Sequence, residues 1–179
     1  MSPSPYTSVP LSAPGKTAPP RLELRTPGPT KSAELYALAT AFRDWAVAQP
    51  HLYLLIHGTP VPGFRPPGET VAHARAVLGP FLPVFVQGRP CPAVAPLVEE
   101  VGRWLRDDAA VAAWVERWTG LPPEDPAADF ALTGAVAAWP QMHGTVGLEA
   151  AGQFAGMGHR PGTLLAVQVD MLADSFRLA

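Results

Sequence analysis

The stretch from Phe130 to Leu148 restricts the possible folds more than any other part of the chain. It contains no Asp, Glu, Lys or Arg, so it belongs either in a protein core or in a membrane. Pro140, Gln141 and His143 interrupt it, as do three glycines. It also falls short of the continuous apolar span of about 20 residues that crosses a bilayer. We therefore predict a buried helix of a globular protein.

Helical periodicity dominates residues 31–179. Apolar side chains recur there three and four positions apart, as Leu38 and Phe42 do, which is the spacing of an amphipathic helix. No segment alternates with the period of a strand. Pro80 and Pro83 fall inside one such helical pattern and should kink or split it. The sequence predicts an all-α fold with about seven helices.

Residues 1–30 differ in composition from the rest of the chain. They contain eight prolines and few large apolar residues. Such a segment cannot bury enough surface to offset the entropy lost on ordering. We expect a disordered, proline-rich segment at 1–30, followed by a single domain at 31–179.

Charge and cysteine content exclude several classes of protein. The formal net charge is −2 and only 16% of the residues are charged, with no cluster of Lys and Arg that would form a nucleic-acid surface. Cys91 is the only cysteine, so no intramolecular disulfide can form. No apolar run follows the first Met, and no secretory signal is visible. These features predict a cytoplasmic protein without a membrane partner.

Catalytic and metal-binding patterns are weak. His51 and His57 do not have the spacing of a metal-ligating pair on a helix, and no cysteine accompanies them. His143 is the only titratable side chain in the uncharged stretch and has no nucleophile beside it. We predict no catalytic residue, no metal and no cofactor. A small helical-bundle enzyme that uses His143 with Glu149 or Asp129 is the least favoured alternative.

Trp139 and His143 stand four residues apart, so they share one face of the predicted helix. An aromatic ring and an imidazole on one face suit an apolar ligand pocket with a single polar group, although ordinary core packing explains them equally well. Gly144 and Gly147 each cost about 1 kcal/mol relative to alanine in a helix interior. The close approach of a second helix would offset that cost. Pro140 predicts a kink in the same helix.

Two motifs resemble a known family. The segment FRDWAVAQPHLYLLIHG at 42–58 resembles the start of the C-terminal domain of TetR-type transcriptional regulators. The segment WPQMHGTVGLE at 139–149 resembles the Trp…His-Gly signature of one subgroup, the WHG domain. The resemblance covers roughly residues 31–179, and its second motif is the more specific one.

The resemblance implies a ligand-sensing and dimerising domain that binds a small hydrophobic effector. The last two helices, at about 127–155 and 161–178, would pair with their copies in a four-helix bundle of a homodimer. The expected ligand-binding residues are Phe42, Phe81, Phe85, Trp139, Met142 and His143. The expected dimer interface comprises Gly144, Leu148, Ala151, Leu165, Val169, Leu172 and Phe176.

The N-terminal segment departs from the family pattern. TetR-type regulators carry an N-terminal three-helix DNA-binding unit, and no helix-turn-helix pattern fits residues 1–30. We therefore expect DNA binding only if such a unit is restored. A truncated gene, a misassigned start codon and a stand-alone sensor domain are all compatible with this pattern. A module that pairs with another regulator without sensing a ligand is the main alternative function.

Overall fold

The computed structural model describes residues 30–57, residue 63 and residues 68–179, with the side chains of 68 and 69 left out. Within these residues all regular structure is helical, which confirms the predicted all-α class. The predicted disordered segment lies outside the described residues, apart from Thr30.

In the described part of the chain, eight α-helices of very unequal length follow one another, and one of them is a single turn. Short 3-10 turns at Gly79–Phe81 and Pro92–Val94 precede α4 and α5. The helices are α1 Lys31–Ala48, α2 Pro50–His57, α3 Gly68–Leu78, α4 Leu82–Phe85, α5 Ala95–Asp107, α6 Ala109–Thr119, α7 Pro126–Ala150 and α8 Pro161–Ser175.

Polar caps and glycines set several helix ends. The side chains of Thr30, Asp108 and Asp125 accept backbone N–H groups at the starts of α1, α6 and α7. Gly120 ends α6 with a φ of +72°, a left-handed conformation that glycine adopts without strain. These local signals set the starts of the three helices and the end of α6.

Proline acts differently at two places in the chain. Pro80 and Pro83 split one apolar run into α3, a 3-10 turn and α4, as the sequence predicts. Pro140 lies on the exposed side of α7, and the helix continues through it to Ala150. The observed α7 is shorter than the predicted helix, which extends to residue 155. It ends at Ala150 because turns that contain the left-handed Gly152 follow it.

α7 is the central helix and packs against α1, α4, α5, α6 and α8. The closest approach lies at Gly134, where an added Cβ would stand 2.1 Å from Cγ of Phe85. A Cβ at Gly144 would meet nothing within 4 Å, and one at Gly147 would lie 3.3 Å from the hydroxyl of Tyr53. Within the single chain, the close helix crossing expected at Gly144 is therefore found at Gly134 instead.

α8 turns its heptad-like apolar row inward. Leu165, Val169, Leu172 and Phe176 are buried within the single chain, at 4%, 4%, 4% and 0% exposure. These four side chains fill the protomer's own core. They were expected between two copies of the chain, and the structure places them inside one copy. The apolar period of α8 identified a buried face without indicating whether the chain itself or a second copy covers it.

Candidate functional site

A cavity of about 690 Å³ opens between α1, α2, α3 and α7. The described residues of its walls include no Asp, Glu, Lys or Arg and are mostly aromatic or aliphatic. They comprise Phe42, Trp45, Ile56, His57, Thr70, His73, Ala74, Val77 and Trp139. A concave, largely apolar site of this size fits a small organic molecule.

Two of the expected ligand-binding residues line this cavity. Phe42 projects from α1 and Trp139 from α7, with their ring centroids 6.1 Å apart. Phe81, Phe85 and Met142 belong to the hydrophobic core instead, at 4%, 0% and 3% exposure. The turn that Pro80 and Pro83 impose after α3 directs the two phenylalanines inward, away from the cavity.

His143 lies directly behind the cavity wall. Its ring centroid is 4.0 Å from that of Trp139, 4.4 Å from that of His57 and 4.9 Å from that of Phe42. All three neighbouring rings are wall residues. The expected pairing of Trp139 and His143 on one face of α7 is therefore present, with Trp139 in the wall and His143 behind it.

Tyr53 holds His143 from the opposite side. Tyr53 is buried on α2, and its hydroxyl lies 3.0 Å from Nδ1 of His143 and 3.5 Å from the His143 carbonyl oxygen. Nε2 of His143 is buried and has no hydrogen-bond partner among the described residues. One ring nitrogen is thus anchored to α2 while the other is left unpaired.

Burial keeps this cluster uncharged near neutral pH. It lowers the pKa of His143 to about 4, and the neighbouring His57 adds to that effect. Burial also lowers the pKa of His57 and raises that of Tyr53. All three groups are therefore neutral at pH 7, and the cavity combines apolar walls with uncharged hydrogen-bonding groups.

Seven residues of the cavity wall were not among the predicted ligand-binding residues: Trp45, Ile56, His57, Thr70, His73, Ala74 and Val77. The four that belong to α3 form a stripe at helical spacing, which is a recognisable signal. Ile56 and His57 fall within the motif HLYLLIHG. Its apolar run predicts a short helix but does not indicate a role for these two side chains. Their convergence depends on how α2 and α3 pack, which periodicity does not specify.

The acids suggested as catalytic partners of His143 are engaged elsewhere. Glu149 accepts two hydrogen bonds from Arg43 of α1, one of them at 2.7 Å from Nε. Asp129 accepts from Arg106 of α5 at 3.1 Å. Neither carboxylate orients the imidazole. The described part of the chain also contains no group of three or more His, Cys, Asp or Glu side chains suited to a metal ion.

A second hollow of about 650 Å³ lies between α3 and α6. Four alanines, two tryptophans and two arginines line it: Ala72, Arg75, Ala76, Ala110, Ala113, Trp114, Arg117 and Trp118. Its charged walls distinguish it from the first cavity.

None of the described helices is long and apolar enough to cross a membrane.

The sequence of this helical domain matches a known family. The model of the tetracyclin repressor-like C-terminal domain matches residues 35–172. The chain belongs to the TetR family. The predicted resemblance to the TetR C-terminal domain is thereby confirmed, while the assignment to the WHG subgroup stays a prediction. The TetR C-terminal domain spans nearly all of the helical part of the chain.

Relatives of this TetR domain are transcriptional regulators. The HTH-type transcriptional regulators Mb1846 of Mycobacterium bovis and Rv1816 of Mycobacterium tuberculosis are each 30% identical to it over 145 residues, which is 79% of this chain. The chain spans 58% of the length of these relatives. A crystal structure of SCO4313, described as a regulatory protein, has a TM-score of 0.55 at 27% identity and covers 80% of this chain and 66% of its own.

Proposed function

We propose that residues 31–179 form the ligand-sensing and dimerising domain of a TetR-type regulator. The effector is a small apolar molecule that binds between α1, α2, α3 and α7. The observation that carries this proposal is the cavity of about 690 Å³, whose described wall residues include Phe42 and Trp139 and no Asp, Glu, Lys or Arg. His143, behind that wall, supplies a polar group.

The position of the cavity suits a sensor. Its walls come from four helices, so a ligand that contacts all of them favours the arrangement in which they fit it. α7 links this site to the rest of the domain, because the helix that carries Trp139 continues to the exposed Gly144 and Leu148. A small displacement of α7 would therefore be transmitted to that outer surface.

The outer face of α7 and α8 is the proposed dimer surface. Leu148 is 47% exposed on α7, and Val167 and Met171 are 49% and 64% exposed on α8. Gly144 presents no side chain at this surface. Large apolar side chains grouped in this way are typical of an interaction site. The proposed interface keeps Gly144, Leu148 and Ala151. On α8, the exposed Val167 and Met171 replace the four buried residues of the expected interface.

DNA binding is proposed only for a longer regulator that includes a helix-turn-helix unit, as the names of the relatives indicate for those proteins. The domain described here would control such a unit through the dimer.

Binding of N-phenyl-1-naphthylamine tests the sensor proposal. This uncharged aromatic probe fluoresces strongly in apolar sites. Ala74→Trp places an indole in the proposed cavity, and Ala113→Trp places the same group in the second hollow as a matched control. We expect one probe per chain, with affinity reduced by about tenfold or more in Ala74→Trp and nearly unchanged in Ala113→Trp. Equal effects of the two variants, or no binding to the wild type, would refute the proposal.

A further inference from the structure

We infer that the effector carries a hydrogen-bond acceptor, such as a ketone, ester or ether oxygen, which pairs with Nε2 of His143. This inference rests on the proposed function, because it specifies the chemistry of a molecule bound in the cavity between α1, α2, α3 and α7. It adds a recognition element to walls that otherwise select only for size and apolar character.

The unpaired nitrogen is the first observation. Nε2 of His143 is buried without a hydrogen-bond partner among the described residues. Most buried polar groups in proteins are paired, and leaving one unpaired costs about 1–3 kcal/mol. A ligand atom that pairs with Nε2 recovers this cost. The domain thus holds a buried polar group that has no hydrogen-bond partner among the described residues.

Tyr53 determines which ring nitrogen carries the proton. Its buried hydroxyl needs an acceptor, and Nδ1 of His143 at 3.0 Å is closer than the His143 carbonyl oxygen at 3.5 Å. That carbonyl also lies in the interior of α7, where backbone N–H groups are available to it. Tyr53 therefore donates to Nδ1, and the proton of the neutral ring is on Nε2. Nε2 is a donor, so its partner must be an acceptor.

His57 controls access to this donor. It is the last residue of α2, its side chain is exposed, and its ring both lines the cavity and packs 4.4 Å from the His143 ring. His143 itself does not line the cavity, so the proposal requires this one side chain to rotate and open a path from the cavity to Nε2. Trp139 and Phe42 enclose the remaining sides, so the ligand oxygen would approach from the His57 side.

The walls also define the charge of the ligand. Among the described residues, they contain no Lys or Arg side chain that would stabilise a carboxylate, and an unpaired ion is costly to bury in apolar surroundings. The acceptor is therefore an uncharged oxygen on an aromatic or alicyclic body. For the same reason, we expect a free carboxylate to bind more weakly than a ketone of the same size.

A pair of isosteric ligands tests this inference. Acetophenone and α-methylstyrene have the same shape, but a carbonyl oxygen in the first is replaced by a methylene group in the second. Each would compete with N-phenyl-1-naphthylamine for the wild type, His143→Phe and His57→Ala. We expect the affinity ratio of acetophenone to α-methylstyrene to fall about tenfold in His143→Phe, as the loss of one hydrogen bond implies, and to rise in His57→Ala.

A second readout requires no variant. In the wild-type chain, the nitrogen NMR resonance of His143 Nε2 should shift with acetophenone and stay in place with α-methylstyrene. This measurement decides the matter if His143→Phe fails to fold. An unchanged affinity ratio in a folded His143→Phe, or an Nε2 resonance that responds equally to both ligands, would overturn the inference while the apolar sensor stands. If the probe binds the wild type but neither ligand displaces it, the inference fails while the apolar sensor stands. If the probe itself does not bind, the proposed function fails and the inference fails with it.

Discussion

The hydroxyl of Tyr53 lies 3.0 Å from Nδ1 of His143, although the two residues are 90 positions apart in sequence. This contact joins α2 to α7 directly behind the cavity. It fixes the imidazole among Trp139, His57 and Phe42 and leaves its other nitrogen unpaired. Both the stability of the domain and its proposed selectivity therefore depend on one hydrogen bond.

Tyr53→Phe should lower the free energy of unfolding by about 1–2 kcal/mol, because Nδ1 loses its buried partner. Tyr36→Phe is a matched control, since the Tyr36 hydroxyl donates to the Ala166 carbonyl oxygen at 3.0 Å, away from the cavity. Urea unfolding should show a loss for both variants. Only Tyr53→Phe should alter the tautomer of His143 in nitrogen NMR spectra. An unaltered tautomer in that variant would contradict the assigned proton position.

Acid should destabilise the domain through His143. The folded-state pKa is about 4, below the ordinary value of 6.5. Between these values the unfolded chain binds a proton that the folded chain does not, so stability present above pH 6.5 is lost as the pH falls towards 4. The expected loss is about 1–2 kcal/mol after allowance for the ring's partial exposure. Urea unfolding at pH 7 and pH 4.5 should show a larger loss in the wild type than in His143→Phe, because His57, whose pKa is also lowered, contributes a loss in both chains.

Gly134→Ala should strongly destabilise the core, because the added Cβ would meet the Phe85 ring at 2.1 Å. Overpacking of this kind costs about 1–3 kcal/mol. Phe85→Leu alone should also cost about 1–2 kcal/mol by leaving a cavity. The double variant should be more stable than the sum of the two losses predicts, because the smaller side chain makes room for the new methyl group. If the stability loss of the double variant instead equals the sum of the two single losses, Gly134 is not required for the close approach of α4.

Met171→Glu should dissociate the proposed dimer. Two copies would each place an unpaired carboxylate in the interface, which should weaken association by about a hundredfold or more. Leu55→Glu is the control, since Leu55 is 81% exposed on α2, outside the proposed interface. Sedimentation velocity at micromolar concentration should show a monomer for the first variant and a dimer for the second. A wild-type monomer, or a Met171→Glu dimer, would contradict the proposed surface.

Helix positions and the fold class could be predicted from the sequence because they depend on local signals. Asp108, Asp125 and Gly120 set helix ends through their own side chains or backbone freedom. The split at Pro80 and Pro83 follows from the geometry of proline alone. The pairing of Trp139 with His143 follows from their spacing on one helix, and the structure confirms it.

The identity of the residues that line the cavity could not be predicted from local signals in the same way. Phe85 and Trp139 both occupy apolar helical positions, yet one packs on Gly134 and the other lines the cavity. Tyr53 and His143 meet only because α2 folds back onto α7. Likewise, the period of α8 identifies Leu172 as buried without indicating which chain buries it. Each of these relationships depends on contacts between distant segments, which periodicity does not encode.

The methyl resonance of Ile56 tests the central claim most directly. Ile56 is the only isoleucine of the chain and lies in the cavity wall, so labelling of isoleucine δ1-methyl groups gives one carbon–proton signal from the site itself. On titration with N-phenyl-1-naphthylamine, we predict that this signal shifts until one probe is bound per chain, since the aromatic ligand lies beside the methyl group. A signal that stays in place while the probe saturates the protein would show that the ligand binds elsewhere.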